Sequence, residues 1–299
     1  MAYAGTTRTD DGEPRVADCR PMPSERSLAG LSAAVTGGGN GIGRAIALHL
    51  ARAGARVAIG DRDTAAAETV AAEIGSDAFA LSLDISDRDA FAAFLDAAEE
   101  RHGPLAIMVN NAGVDWIGPF HEEPDEVTRR EIDVNLFGTT IGSKLALQRM
   151  LPRRSGHLVN VASGVGRVPL PGSATYSATK HGVVGLTESL RLEYRGSGVS
   201  FTVVQPAQVE TGMLDGQGRP RALPQISADD VAEAVLDALA KKRFEVWVPR
   251  SQAASAKLGA ALPRAAREAV YRALGLTKIA GETDASARRA YHRKAFDRE

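Results

Sequence analysis

Little in the chain would tie it to the cell exterior, a membrane or a nucleic acid. Its 299 residues hold one cysteine, Cys19, so no internal disulfide can form; the composition fits a reducing compartment, and the cytoplasm is the expected location. No apolar run approaches the roughly 18 residues of a membrane-spanning helix. Charge of one sign is missing too. With 36 basic and 37 acidic residues the net charge is −1, without the basic excess that phosphate binding normally leaves, so no nucleic-acid partner is expected. Residues 1–27 have no apolar stretch and are rich in polar residues, glycine and proline; they read as a disordered leader rather than a signal peptide.

What remains is an ordinary globular composition, 44% hydrophobic and long enough to bury a full core. Order begins near Leu28. The apolar run Leu31 to Thr36 leads into Gly37-Gly38-Gly39-Asn40-Gly41-Ile42-Gly43, then a helical pattern from Arg44 to Ala53 that Gly54 ends. Strand, glycine turn and helix in that order suit a dinucleotide. The glycines let backbone approach a pyrophosphate, and the helix N-terminus offers free N–H groups and a positive dipole end. The next strand, Arg56 to Gly60, ends at Asp61, about 20 residues on, where a carboxylate can accept hydrogen bonds from ribose hydroxyls; a strand-end turn residue is the plainer alternative. A carboxylate there would repel a 2′-phosphate and Asn40 is not basic, which favours NAD over NADP, although Arg62 could pair with such a phosphate.

The alternation continues with a helix over Thr64 to Ile74, a strand from Ala78 to Leu83 ending at Asp84, and an amphipathic helix over Arg88 to His102. Then comes the wholly apolar strand Leu105 to Val109, which ends in Asn110-Asn111-Ala112-Gly113. Strands alternating with helices imply right-handed crossovers and an α/β, Rossmann-like doubly wound parallel sheet, with its ligand crevice at the carboxyl ends of the strands. Gly37, Asp61, Asp84 and Asn111 all fall at such ends, where one cofactor could touch them or each could be turn chemistry.

Reactive chemistry is suggested by Tyr176-Ser177-Ala178-Thr179-Lys180. Residues four apart share a helix face, so the ammonium can bear on the phenol, favour the phenolate and make a base of it. The pair alone is common in helices. Ser163 follows the strand His157 to Ala162, where its hydroxyl could enter the crevice or simply cap a turn. Asn135 sits inside a helix read over Pro124 to Met150, an unfavourable place for a side chain that competes for backbone hydrogen bonds.

The turn Thr36 to Gly43, the run Asn110 to Gly113, the thirteen-residue interval from Ser163 to Tyr176 and the Tyr176–Lys180 spacing together resemble the short-chain dehydrogenase/reductase family, over about Leu28 to Pro249. The resemblance implies seven strands in the order 3-2-1-4-5-6-7. It also implies reversible hydride transfer between a nicotinamide cofactor and a secondary alcohol or ketone, with a lipophilic substrate leading. Tyr176 would be the acid/base, Ser163 would hold the substrate oxygen, and Lys180 would lower the tyrosine pKa and bond the nicotinamide ribose. Asn135 would kink its helix and hold a relay water.

Implied cofactor contacts begin with Gly37, Gly39, Asn40, Gly41, Ile42 and Gly43 in the first turn, and Asp61, Arg62, Asp84 and Ile85 after the next two strands. Asn111, Ala112 and Gly113 follow, then Tyr176 and Lys180, then Pro206, Val209 and Thr211, with no metal. Ala207 departs from the family's usual glycine. Met213 to Gln225 corresponds to the substrate lid, and Trp116 either lines the same pocket or sits in the core. A homodimer or homotetramer through the helices bearing Asn135 and Tyr176 is implied as well. Two alternatives stand beside this reading, an NADP-dependent carbonyl reductase and a nucleotide-sensing protein without turnover.

Beyond Pro249 the chain carries eleven Lys or Arg against five Asp or Glu. Leu258, Leu262, Ala266, Val270, Tyr271 and Leu274 recur near helical spacing among arginines. Such a segment could lie on an anionic membrane or pack on the protein or a second subunit near the site's mouth. The expected organisation is thus a leader over 1–27, a catalytic domain over 28–249 and a basic helical extension over 250–299.

Overall fold

The computed structural model describes residues 28–214, 226–273 and 285–296. The leader and residues 215–225 of the expected substrate lid lie outside the described residues.

Seven short runs, dominated by small and β-branched apolar residues, form the strands: β1 Ser32–Thr36, β2 Arg56–Asp61, β3 Ala78–Ser82, β4 Leu105–Asn110, β5 Gly156–Val161, β6 Val199–Pro206 and β7 Glu245–Val248. All pair in parallel, in the order β3-β2-β1-β4-β5-β6-β7, the doubly wound order expected. Because successive side chains point to opposite faces, one strand feeds two cores. Ala33 and Val35 of β1 pack with Ile46, Leu50, Val57, Ile59 and Val231 on one face. Ala34, between them, packs on the other with Phe91, Phe94, Met108, Leu145 and Leu158.

Helices α1 (Gly41–Arg52), α2 (Thr64–Ile74), α3 (Arg88–His102), α4 (Asp125–Glu131), α5 (Thr139–Met150), α6 (Ala174–Glu193) and α7 (Ala228–Lys241) cover these faces. Local chemistry starts several of them: Asp63 and Asp87 accept first-turn N–H groups of α2 and α3, and Ser227 with Asp230 forms a reciprocal capping box on α7. The helix expected over Pro124 to Met150 has a π-helical stretch at its centre, Ile132–Gly138, which joins α4 to α5 and contains Asn135. Thr139 and Thr140 hydroxyls take up the Asn135 and Leu136 carbonyls at 2.9 and 2.8 Å, so widening the helix does not orphan them.

Among the described residues three helices follow β7: α8 (Ser251–Ala261), α9 (Arg264–Ala273) and α10 (Ala285–Phe296). α9 buries none of its residues, and Leu258 and Val270 are exposed. α10 returns to the carboxyl edge of the sheet, where Arg288 and Ala295 are buried. Among the described residues no helix is long and apolar enough to cross a membrane.

Candidate active site

The glycine turn between β1 and α1 is built by close backbone approach. Gly37 has φ +64°, in the region that favours glycine, and a Cβ there would lie 2.8 Å from the Ala112 Cα. A Cβ on Gly43 would lie 2.0 Å from the Gly37 carbonyl oxygen and 2.5 Å from the Asn111 amide nitrogen. Asn111 holds the turn from the end of β4: its amide donates to the Thr36 and Gly37 carbonyls at 3.1 and 3.2 Å. Asp61, at the end of β2, accepts the Gly39 N–H at 2.9 Å and the Asp63 N–H at 3.0 Å. Its carboxylate is thereby fixed beside the turn, with lone pairs left for a ribose. The exposed Arg62 follows it.

Asp84, after β3, accepts the Ser86 N–H and hydroxyl at 2.9 and 2.6 Å and pairs with Arg130 at 3.0 Å. Burial alone would raise its pKa, but the Ser86 bonds and the guanidinium outweigh that and hold it below the usual carboxylate value. Ile85 is buried against Gly138 of the π-helical stretch. At the far end of the crevice, Thr211 lies over Gly41, and Val209 bridges to Ile226 beyond the end of β6 at Pro206. The turn leaves little room for side chains at Gly37 and Gly43, and the Asp61 carboxylate stands beside it.

Asn135 is fully buried. It donates to the Val114 carbonyl and accepts the Val114 N–H, both at 2.8 Å, and its amide also reaches the Thr179 hydroxyl at 3.3 Å. The π-helical turn thus aims an asparagine between the segment after β4 and helix α6. Gly113 lies against both Asn135 and Lys180: a Cβ there would be 3.1 Å from Asn135 Oδ1 and 3.5 Å from Lys180 Nζ. Lys180 is buried, donates to the Val161 carbonyl at 3.1 Å and stands 5.5 Å from the centre of the Tyr176 ring. Ser163 accepts the Val165 N–H at 3.2 Å and hydrogen-bonds the Tyr176 phenol. Asn135, Ser163, Tyr176 and Lys180, spread over 46 positions of sequence, therefore meet in one place.

Electrostatics there differ from the expectation that Lys180 holds the Tyr176 pKa down. Tyr176 is half-buried, and burial pushes its phenol above its ordinary 10.0. The Asp115 charge adds to that rise and the Ser163 bond opposes it. Burial likewise draws Lys180 down to about 8, against the pull of Asp115 and Glu131. The enclosed pair is least costly with the phenol neutral, because a low dielectric penalises both charged forms.

Several residues here carry no motif. Glu131, one turn before Asn135, has no exposed surface and accepts the Trp116 N–H at 2.6 Å. Asp115 and Trp116 are buried, and α10 reaches them through Arg288, Tyr291 and His292. The four-residue interval from Glu131 to Asn135 was the one local hint that both face the same way. Among the described residues no cluster could hold a metal ion.

Fold and cradle together define an α/β nucleotide-binding protein of the Rossmann type. The chain belongs to the short chain dehydrogenase family, whose model matches residues 32–221. It is 46% identical over 158 residues to an inactive 2-(S)-hydroxypropyl-CoM dehydrogenase 2 of Xanthobacter autotrophicus, covering 53% of this chain and 69% of that one. It is 36% identical over 227 residues to the 1-deoxy-11-beta-hydroxypentalenate dehydrogenase of Streptomyces exfoliatus, covering 72% and 82%. Among solved structures, a short chain dehydrogenase/reductase from Burkholderia phymatum in complex with NAD superposes with a TM-score of 0.72 at 28% identity, over 78% of this chain and 93% of that one.

Proposed function

We propose that the chain is an NAD-dependent oxidoreductase that reversibly converts a secondary alcohol to a ketone, with Tyr176 as its acid/base. The observation that carries this reading is the convergence of Ser163, Tyr176, Lys180 and Asn135 beside the glycine cradle. A bound nicotinamide ring supplies or accepts the hydride.

The chain's own residues handle the proton and the oxygen. In reduction the neutral Tyr176 phenol donates its proton to the carbonyl oxygen as negative charge develops there; in oxidation the phenolate takes the alcohol proton back. Ser163 donates to the same oxygen, a fixed dipole aimed at developing charge. Lys180 stabilises the phenolate once the tyrosine has given up its proton, and Asn135 keeps Val114 and α6 in register with it. The burial of Tyr176 favours the protonated form in the free chain.

Support for NAD comes from Asp61, fixed by the Gly39 N–H beside the turn, and from the NAD complex of the Burkholderia structure. The relative whose name carries the word inactive makes a nucleotide-binding protein without turnover the reading to beat. Titration with NADH and NADPH, followed by nicotinamide absorbance over a panel of lipophilic ketones and alcohols, separates the two. Tight NADH binding with turnover supports the oxidoreductase. Tight binding with no turnover across the panel supports the sensor, and preference for NADPH overturns the assignment of Asp61. A cytoplasmic homo-oligomer is part of the same proposal, and gel filtration tests its oligomeric part.

A further inference from the structure

A helix on the surface of a protein usually turns its apolar stripe inward. Helix α9 does the reverse. Ala266, Ala269, Val270 and Ala273, which share one face at helical spacing, are exposed, whereas Arg267 and Tyr271 are half-buried. The face that these two share with Arg264, Glu268 and Arg272 borders a groove of about 870 Å³, within the usual range of small-molecule sites. Its other wall is Pro169, Leu170, Pro171 and Ala174, from the segment that leads into Tyr176, together with Ser177 of α6. That wall is mostly apolar and poor in backbone donors: the two prolines have no N–H, and the Leu170 N–H already donates to the Ser177 hydroxyl at 3.3 Å.

Charge on the α9 wall is unequal. Glu268 is the one carboxylate among the residues that line the groove, against three guanidiniums. Arg264 pairs with it at 2.7 Å, and the Arg272 Nε reaches the Glu268 carbonyl at 3.4 Å. The Arg267 guanidinium has no hydrogen-bond or ion-pair partner among the described residues. All three cations bear on the Glu268 carboxyl, which the Arg264 hydrogen bond, then the charges of Arg264, Arg272 and Arg267, hold below the usual carboxylate value. A half-buried guanidinium without a partner, facing an apolar wall, suits an anion that carries a hydrocarbon chain. We propose that the groove between α9 and residues 169–174 binds a free amphipathic anion, an alkyl chain ending in a carboxylate, with Arg267 taking the headgroup and Leu170 and Pro171 the chain. The arginines line the groove while the outward face is apolar and small, which favours a molecule within the groove over a membrane surface.

The test is titration calorimetry on the full chain with octanoate, the uncharged octanamide and acetate. It needs neither cofactor nor turnover, so its outcome is independent of the oxidoreductase reading. Octanoate should bind at least about tenfold more tightly than octanamide, and acetate, which has the charge without the chain, should bind more weakly than either. Arg267→Gln should weaken octanoate by about tenfold and leave octanamide unchanged. Glu268→Gln removes the competing carboxylate and should tighten octanoate, a gain that a damaged groove could not produce. Leu170→Ala should weaken octanoate and octanamide alike. Because α9 buries none of its residues, the two charge variants should fold as the wild type does. Equal affinity for octanoate and octanamide, or an octanoate affinity that neither charge variant moves, would overturn the proposal. Absence of octanoate binding overturns it too. If phosphatidylglycerol vesicles then float the wild type but not Arg267→Gln, the arginines serve a lipid surface instead.

Discussion

Replacing Glu131 by glutamine should stabilise the protein by an amount that grows with pH. Its side chain has no exposed surface; one oxygen accepts the Trp116 N–H at 2.6 Å, and the other has no partner among the described residues. Burial first, then the nearby Asp115 charge, raise its pKa from 4.5 to about 9, against the Trp116 N–H bond. Between those values the native state holds a proton that the unfolded chain has released. Stability from this group is therefore complete below pH 4.5 and lost as pH rises toward 9, at about 1.4 kcal/mol per unit. At pH 7 the loss is about 3 kcal/mol. Glutamine keeps an acceptor for Trp116 and cannot ionise, so it should gain about that much at pH 7, little near pH 5, and more toward pH 9. Urea unfolding of both proteins across this range reads the gap directly. Parallel pH profiles, with the gap constant, would refute the reasoning.

Other perturbations probe the cradle, the π-helical turn and the sheet. Gly43→Ala puts a methyl 2.0 Å from the Gly37 carbonyl oxygen, so NADH affinity measured by fluorescence should fall by at least about tenfold; an unchanged affinity would mean the turn relaxes freely. Asn135→Ala leaves both polar groups of Val114 without their partners and should cost about 2–4 kcal/mol in urea unfolding, with faster hydrogen exchange at Val114; a loss below about 0.5 kcal/mol would contradict the geometry. His157 is held neutral, its pKa drawn from 6.5 to about 4 by burial and then by Lys242. The unfolded chain takes up a proton first as pH falls, so stability drops by up to about 3 kcal/mol between pH 6.5 and 4. His157→Gln should lack that drop when melting temperatures at the two ends of the window are compared.

The strands were legible because a parallel strand covered on both faces has no polar face to interrupt it: Leu105 to Val109 reads as one apolar run, and the strand Leu105–Asn110 is buried along most of its length. The glycine turn was legible for a steric reason, since Gly37 and Gly43 leave no space for a Cβ. The π-helical stretch was not. Nothing within Ile132–Gly138 demands it; the widening serves the contact of Asn135 with Val114, 21 residues away. Packing of the extension near the site's mouth was among the readings the sequence allowed, but the residues it would meet were not legible, as Arg288 and Asp115 lie 173 residues apart. The Tyr176–Lys180 spacing predicted proximity correctly but said nothing of the dielectric around it, and burial reverses the expected direction of the tyrosine's shift.

Deuterium transfer tests directly whether Tyr176 moves the proton while the cradle holds the cofactor. With NADH deuterated at the reactive carbon and a ketone that the wild type reduces, label should appear on the product carbinol carbon. Tyr176→Phe should cut that transfer by about 10² to 10⁴ while binding NADH as tightly as the wild type. Transfer by the phenylalanine variant at a rate near that of the wild type would contradict the account.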